Sequence, residues 1–278
     1  MGKTTVLTPE REKWDSLVSL SSQGTIFSTT KWLDLIGQPY KIYAVHKGDE
    51  LIGGAANFDS PAPLTPFQGI LVKPEEKYTT AMALHYEVTK ALMDYLPNEF
   101  YNHSNYRDIR PFKWNENWEL DVKYTYIIHS WSMDGMEKQT RYDISHYREW
   151  GMSVTPDIEK FIKLYQYTFE RKGLKPTASD DLIRRIYEQF PCTLGMTANG
   201  ESGALFIRDD KRSYYILGAS EGKGSSSYCL WASLTVELAK SSEIDLVGCN
   251  DYSIAQFKKG FGGILTPYYG LRRKDAII

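Results

Sequence analysis

Apolar residues recur at helical spacing after Thr8-Pro9, where Trp14, Leu17 and Val18 share a side and Glu10 and Glu12 occupy the first turn. A threonine cap with proline at the first helical position predicts a helix there, ended by Gly24. A short second helix is predicted over 28–36. From 40 to 46 the pattern alternates (Ile42, Ala44), turns at Lys47-Gly48-Asp49 and returns over 51–58, which predicts an antiparallel hairpin. A further strand is predicted over 65–72. A helix at 78–96 puts Leu84, Val88, Ala91, Leu92 and Tyr95 on one face and stops at Pro97. Strands are predicted at 100–103 and 124–129.

Near residue 150 the pattern starts again. Thr155-Pro156 repeats the cap and proline, followed by the stripe Ile158, Phe161, Ile162, Tyr165 and Phe169, and Gly173 and Pro176 close the helix. Ser179 caps a second helix that ends before Pro191. Strands 193–197 and 202–208 flank Asn199-Gly200, a strong hairpin signal. A third strand at 213–219, a helix at 225–241 burying Leu230, Leu234 and Leu238, and strands at 244–248 and 264–270 complete the half. The two Thr-Pro caps stand 147 residues apart, the hairpin glycines Gly48 and Gly200 152, and the late helices 147. Offsets this steady read as a tandem duplication. The expected fold class is α+β (mixed α/β): two domains, 1–150 and 151–278, each a mixed, mostly antiparallel sheet flanked by helices.

Composition narrows the function classes. The formal charge of −2 gives no global field toward DNA or anionic lipid, and no apolar run reaches the 18 or so residues of a membrane helix. The first residues lack the apolar stretch of a signal peptide. Cys192, Cys229 and Cys249 are odd in number and widely spaced, as reduced thiols of a cytoplasmic protein would be. Neither they nor the five histidines show metal-ligand spacing, so no metal is expected. Aromatic residues reach 14%, enough for a thick core and for a pocket with stacking walls.

Two segments carry candidate chemistry. Between a strand and an amphipathic helix lies Gly218-Ala219-Ser220-Glu221-Gly222-Lys223-Gly224-Ser225-Ser226. Its three glycines let backbone N–H groups approach a ligand, the helix start supplies free donors, and Lys223 adds a charge, a recipe for a pyrophosphate cradle. A mobile surface loop has the same composition, and both readings are open. The second segment, Gly248-Cys249-Asn250-Asp251, sits past a strand end and leads into Phe257-Lys258-Lys259-Gly260-Phe261-Gly262-Gly263. With Arg272, Arg273 and Lys274 it forms a basic cluster suited to phosphates or to a solvated face. Loops 64–69 and 108–114 could line a pocket between the halves or pack them together.

Phe257-Lys258-x-x-Phe261-Gly262-Gly263, the preceding Gly248-Cys249-Asn250-Asp251, Thr65-Pro66-Phe67-Gln68-Gly69, Phe27-Ser28-x-x-x-Trp32-Leu33 and Tyr124-Thr125-Tyr126 resemble FemAB-like proteins of the GNAT superfamily of acyltransferases, which carry two GNAT domains in tandem. The resemblance spans nearly the whole chain. It implies transfer of an acyl or aminoacyl group to an amine; the expected reaction takes the acyl group from acyl-CoA (acetyl-CoA) to an amino sugar in cell-envelope polysaccharide synthesis, in the cytoplasm. Residues 220–226 fall where the GNAT pyrophosphate loop lies, and Gly218, Ser220, Gly222, Lys223, Gly224, Ser225 and Ser226 are the expected cofactor-binding set. The loop departs from the GNAT pattern in having Ala219 where Arg or Gln is usual. Lys258 matches the lysine of the Phe-Lys-x-x-Phe-Gly motif and is expected to polarise the acyl carbonyl or hold a phosphate. Tyr215 would donate a hydrogen bond near the acyl group, and Asp251 or Glu221 would accept the proton. Gln68, Arg110, Asn250 and Lys259 are the expected acceptor contacts. One cleft between the halves is expected, with the donor held by the second half. The other readings are an aminoacyl-tRNA-dependent peptidoglycan bridge transferase, with tRNA as partner, and a non-catalytic GNAT-like binding module.

Overall fold

The computed structural model describes residues 4–130, 132–222 and 224–274. In chain order the elements are β1 (Thr4–Leu7), α1 (Arg11–Leu20), α2 (Thr30–Ile36), β2 (Tyr40–Lys47), β3 (Glu50–Phe58), β4 (Ile70–Val72), α3 (Tyr78–Leu92), β5 (Glu99–Tyr101), α4 (Arg110–Lys113), β6 (Trp118–Ile128) and α5 (Lys138–Tyr147). There follow α6 (Ile158–Arg171), α7 (Asp180–Gln189), β7 (Cys192–Met196), β8 (Ser202–Arg208), β9 (Ser213–Ser220), α8 (Ser226–Leu238), β10 (Ile244–Asp245), α9 (Tyr252–Lys259) and β11 (Ile264–Arg273).

Two compact units result, residues 4–123 with 267–274, and residues 124–266. They differ from the halves 1–150 and 151–278 because strands pair by register rather than by chain order. The chain crosses from one unit to the other inside β6 and again inside β11. Ile127 and Ile128 pair antiparallel with Asp245 and Ile244 of β10, whereas Gly270, Leu271 and Arg272 of β11 pair with Tyr101, Phe100 and Glu99 of β5.

In the first unit β1, β2, β3 and β4 form an antiparallel sheet in that order. Val88 and Leu92 of α3 are buried against Val45, Ile52 and Ile70 of the sheet. The first helix starts at Arg11 with Glu10 in the cap position, so Thr8-Pro9 is not its cap. Residues 65–69 are irregular rather than strand, Thr65 being tied by its hydroxyl to the Trp32 indole N–H at 3.0 Å.

The second unit orders its strands β6-β10-β9-β8-β7, and β10–β9 is the parallel pair. Period two along β8 sends Ala204 and Phe206 to Cys229, Leu230 and Leu234 of α8, while Gly203 faces Phe161 of α6. Helices α6 and α8 therefore cover opposite faces. The start of α6 is set by Asp157, which accepts the Glu159 N–H at 2.8 Å, and that of α7 by Ser179, which accepts the Leu182 N–H at 3.2 Å. Phe161, Ile162, Leu164 and Tyr165 form the buried stripe of α6, each worth about 1.5–3 kcal/mol by burial. Helices α4, α5 and α9 lack such a stripe in the sequence and were not predicted; α5 buries only Thr140 and Ile144. The strand expected over 244–248 stops at Asp245, and that stop shapes the site.

Candidate active site

Strand β9 is paired with β8 along its whole length, but Leu205 faces Leu217 and Phe206 faces Tyr215, which leaves Ile216 as an extra residue. Such a bulge bends a strand and re-aims its side chains. Along its other edge β9 meets β10 at only two positions, Ser213↔Ile244 and Tyr214↔Asp245. Beyond them β10 turns away. The Leu246 N–H donates to the Tyr126 carbonyl at 2.9 Å, and Val247 and Gly248 take φ of 49° and 57°. A β-branched residue in that region is strained and must be held. Asp245 holds it from one side, accepting the Val247 N–H at 2.7 Å and the Thr125 hydroxyl at 2.5 Å. Lys258 holds it from the other, its Nζ donating to the carbonyls of Leu246 (2.6 Å), Val247 and Gly248 (2.7 Å).

Where the strands part, the second unit contains a cavity of about 460 Å³, walled by residues 215–220, Val247, Phe257 and Lys258, with Thr168 of α6, Lys172 just past its end and Ser226 of α8. The Tyr215 ring centroid lies 5.6 Å from Lys258 Nζ and 5.2 Å from the Phe206 ring. Its hydroxyl crosses Gly218 so closely that a β-carbon there would stand 2.0 Å from Oη, so the position requires glycine. Burial pushes the Tyr215 hydroxyl pKa up, which keeps it a donor.

At the end of β9, Ser220 gives its N–H to the Thr168 hydroxyl at 2.8 Å. The chain then turns through Gly222 and Gly224, both at left-handed φ (88° and 84°). Gly222 lies against the Arg171 guanidinium and Gly224 against the Tyr147 ring. Ser225 is buried, with its hydroxyl 2.6 Å from that of Ser202, and makes no side-chain cap to α8. The Ser227 N–H of α8 turns back to the Gly224 carbonyl at 3.4 Å, and no side-chain cap covers the helix start. Lys223 lies outside the described residues.

Of the residues expected from sequence, Lys258, Tyr215, Gly218, Ser220 and Ser226 line this one cavity. Lys258 is 8% exposed, and all three donors of its ammonium are taken by carbonyls, none remaining for an acyl oxygen or a phosphate. Burial brings its pKa down to about 8, opposed by Asp245 and Cys249. Asp251 caps α9 through the N–H groups of Ser253 (2.9 Å) and Ile254 (3.1 Å), and also accepts the Ser253 hydroxyl. These bonds hold its carboxyl below the ordinary range, which makes it a weak base. Asn250 fixes the backbone of Tyr124, accepting its N–H at 2.8 Å, and Lys259 is exposed and paired with Glu137 at 2.8 Å. Glu221 donates its N–H to the Glu201 carbonyl at 2.9 Å, and its side chain is not part of the cavity wall. In the first unit Gln68 lines a separate cavity of about 520 Å³ with Lys41, Asn57, Asp59, Glu99 and Arg272. Arg110 is exposed and paired with Asp108 at 2.7 Å.

Sequence reasoning missed Thr168, Arg171, Lys172 and the Asp245–Val247 turn. The two basic residues ending α6 were visible as a charged helix end; nothing in the sequence told that α6 would close on a loop some 50 residues later. Among the described residues no group of three or more His, Cys, Asp or Glu is placed to hold a metal ion, and no helix is long and apolar enough to cross a membrane.

No family model matches the chain, and no curated protein matches it in sequence. Solved structures do. FemX is similar with a TM-score of 0.66 and 13% identity, over 95% of this chain and 96% of its own. L-PGS from Bacillus licheniformis follows at 0.61 and 10%, over 98% and 94%, and a putative acetyltransferase from Pyrococcus horikoshii at 0.51 and 12%, over 97% and 88%. The chain thus has the fold of these structures, FemX among them.

Proposed function

We propose that this chain is an N-acyltransferase that moves an acyl group from a coenzyme A thioester to an amine. The observation that carries the reading is the parting of β9 from β10 behind the Ile216 bulge, in a cavity whose wall reaches Ser220 and Ser226, on either side of the glycine turn that leads to a helix start without a side-chain cap. The loop 222–226 would take the donor's diphosphate, with Arg171 and Lys172 nearby as cations in place of the Arg or Gln absent at Ala219. The thioester would lie along the β9 edge that lacks a strand partner from Tyr215 onward.

In the transfer the amine nitrogen bonds to the carbonyl carbon, the carbon–sulfur bond breaks, and the thiol leaves with the electron pair. Main-chain N–H groups on the open β9 edge and the Tyr215 hydroxyl are the donors available to the developing oxyanion. No carboxylate side chain lines the cavity, so the amine proton passes to water in this reading, with Glu221 at the loop as the side chain that could take it next. The acceptor is proposed to be an amino sugar of a cell-envelope polysaccharide pathway in the cytoplasm.

Two rivals stand beside it: an aminoacyl-tRNA donor, and a non-catalytic GNAT-like module, which Ala219 favours. A thermal-shift titration with acetyl-CoA and coenzyme A decides. Ligand at 100 times its Kd stabilises a fold by about 2.7 kcal/mol, and the shift should vanish in Gly224→Asp. No shift at millimolar ligand refutes the acyl-CoA reading and leaves the tRNA-dependent transferase or a silent binding module, which a tRNA-binding assay separates.

A further inference from the structure

We infer that Lys258 is a positioning residue whose ammonium fills a cage of three consecutive carbonyls and so holds β10 away from β9, keeping the cavity open. Successive carbonyls of an extended strand point to opposite sides. Those of Leu246, Val247 and Gly248 converge on one point because Val247 and Gly248 take left-handed φ. Three carbonyl dipoles aimed at one another repel, and a buried carbonyl without a donor is costly. An ammonium with three N–H groups answers both problems. Asp245 balances the charge: Oδ1 is used by Thr125 and Val247, and Oδ2 is buried without a hydrogen-bond partner. The Tyr215 ring closes the remaining side. Without the ammonium the caged carbonyls must find other donors, and the edge of β9 that has no strand partner beyond Tyr214 carries such donors. Pairing there would extend the two-residue β9–β10 ladder and close the space between the strands.

The inference concerns the cavity that the proposed function assigns to the donor, and it separates cleanly from a carbonyl-polarising lysine. Coenzyme A has no acyl carbonyl. A polarising Lys258 leaves coenzyme A binding intact in K258A and loses turnover alone; a brace loses the binding itself, by about tenfold or more.

The test is K258A, melted and titrated with coenzyme A in ammonium, methylammonium or tetramethylammonium chloride at equal ionic strength. The expected result is a lowered Tm and weakened coenzyme A binding, both restored by the two small cations, which fit the vacated cage, and not by tetramethylammonium, which has no N–H. Wild-type affinity in K258A, or a Tm indifferent to the cation, overturns the inference. If the wild-type protein itself does not bind coenzyme A, the acyl-CoA reading fails, and the cation dependence of the K258A melt alone decides the brace. Should K258A fail to fold in every buffer, K258Q, whose amide retains two donors for the carbonyls, must melt above K258M; the opposite order overturns the inference.

Discussion

Asp245→Asn isolates one buried charge with a pH signature. Asp245 is fully buried at the end of β10. Burial raises its pKa from 3.8 to about 6, against the opposing pull of the Thr125 hydroxyl, the Val247 N–H and the charges of Lys258 and Arg212. A carboxyl whose folded pKa exceeds its unfolded value binds the proton more tightly when folded. Its contribution is therefore fully present below pH 3.8 and is lost as pH rises through about 6. Each pKa unit is worth about 1.4 kcal/mol, so the whole swing is about 3 kcal/mol. Asparagine keeps the shape and an acceptor oxygen but does not titrate. Urea unfolding of both proteins, followed by tryptophan fluorescence from about pH 4 to pH 7, gives the difference in stability at each pH. Wild type should lose about 2.4 kcal/mol relative to the variant across that range, the rest of the swing lying below pH 4. A flat difference would refute the raised pKa. A difference of opposite slope would mean that the Lys258 charge outweighs burial at Asp245.

Gly218→Ala places a methyl group 2.0 Å from the Tyr215 hydroxyl oxygen and must displace the ring. It should cost about 1–3 kcal/mol of stability and weaken coenzyme A binding, seen by melting and titration; unchanged affinity would remove Tyr215 from the donor site. Ser225→Ala leaves the buried Ser202 hydroxyl without its partner at 2.6 Å, for an expected loss of about 1–3 kcal/mol in urea unfolding. Asp157→Ala removes the cap of α6 and should cost about 1 kcal/mol, with Asp157→Asn largely restoring it.

Local rules were enough for much of this protein. The strands β2, β3 and β8, the Asn199-Gly200 hairpin and the stripe Phe161, Ile162 and Tyr165 of α6 are all present in the structure, because each depends on residues within a few positions of one another. The same kind of signal marked 218–226 as a strand-to-helix loop, whereas Lys258 stood out through the resemblance of its motif to FemAB-like proteins.

What the lysine does was beyond its reach. Phe257-Lys258 reads the same whether the ammonium meets a ligand or three carbonyls, and only folding brings Leu246, Val247 and Gly248 around it. Asp251 and Asn250 read as ligand groups until the chain folds and gives them a helix cap and a backbone clamp to serve. The early stop of β10 is likewise a tertiary decision. Residues 244–248 have the composition of a strand, yet a buried carboxylate on one side and a buried ammonium on the other hold the backbone out of register after two residues. Periodicity, capping and turn chemistry are short-range, and the sequence by itself determined the elements they build. Where two strands part depends on charges and carbonyls that are distant in the chain, and only the tertiary structure could decide it.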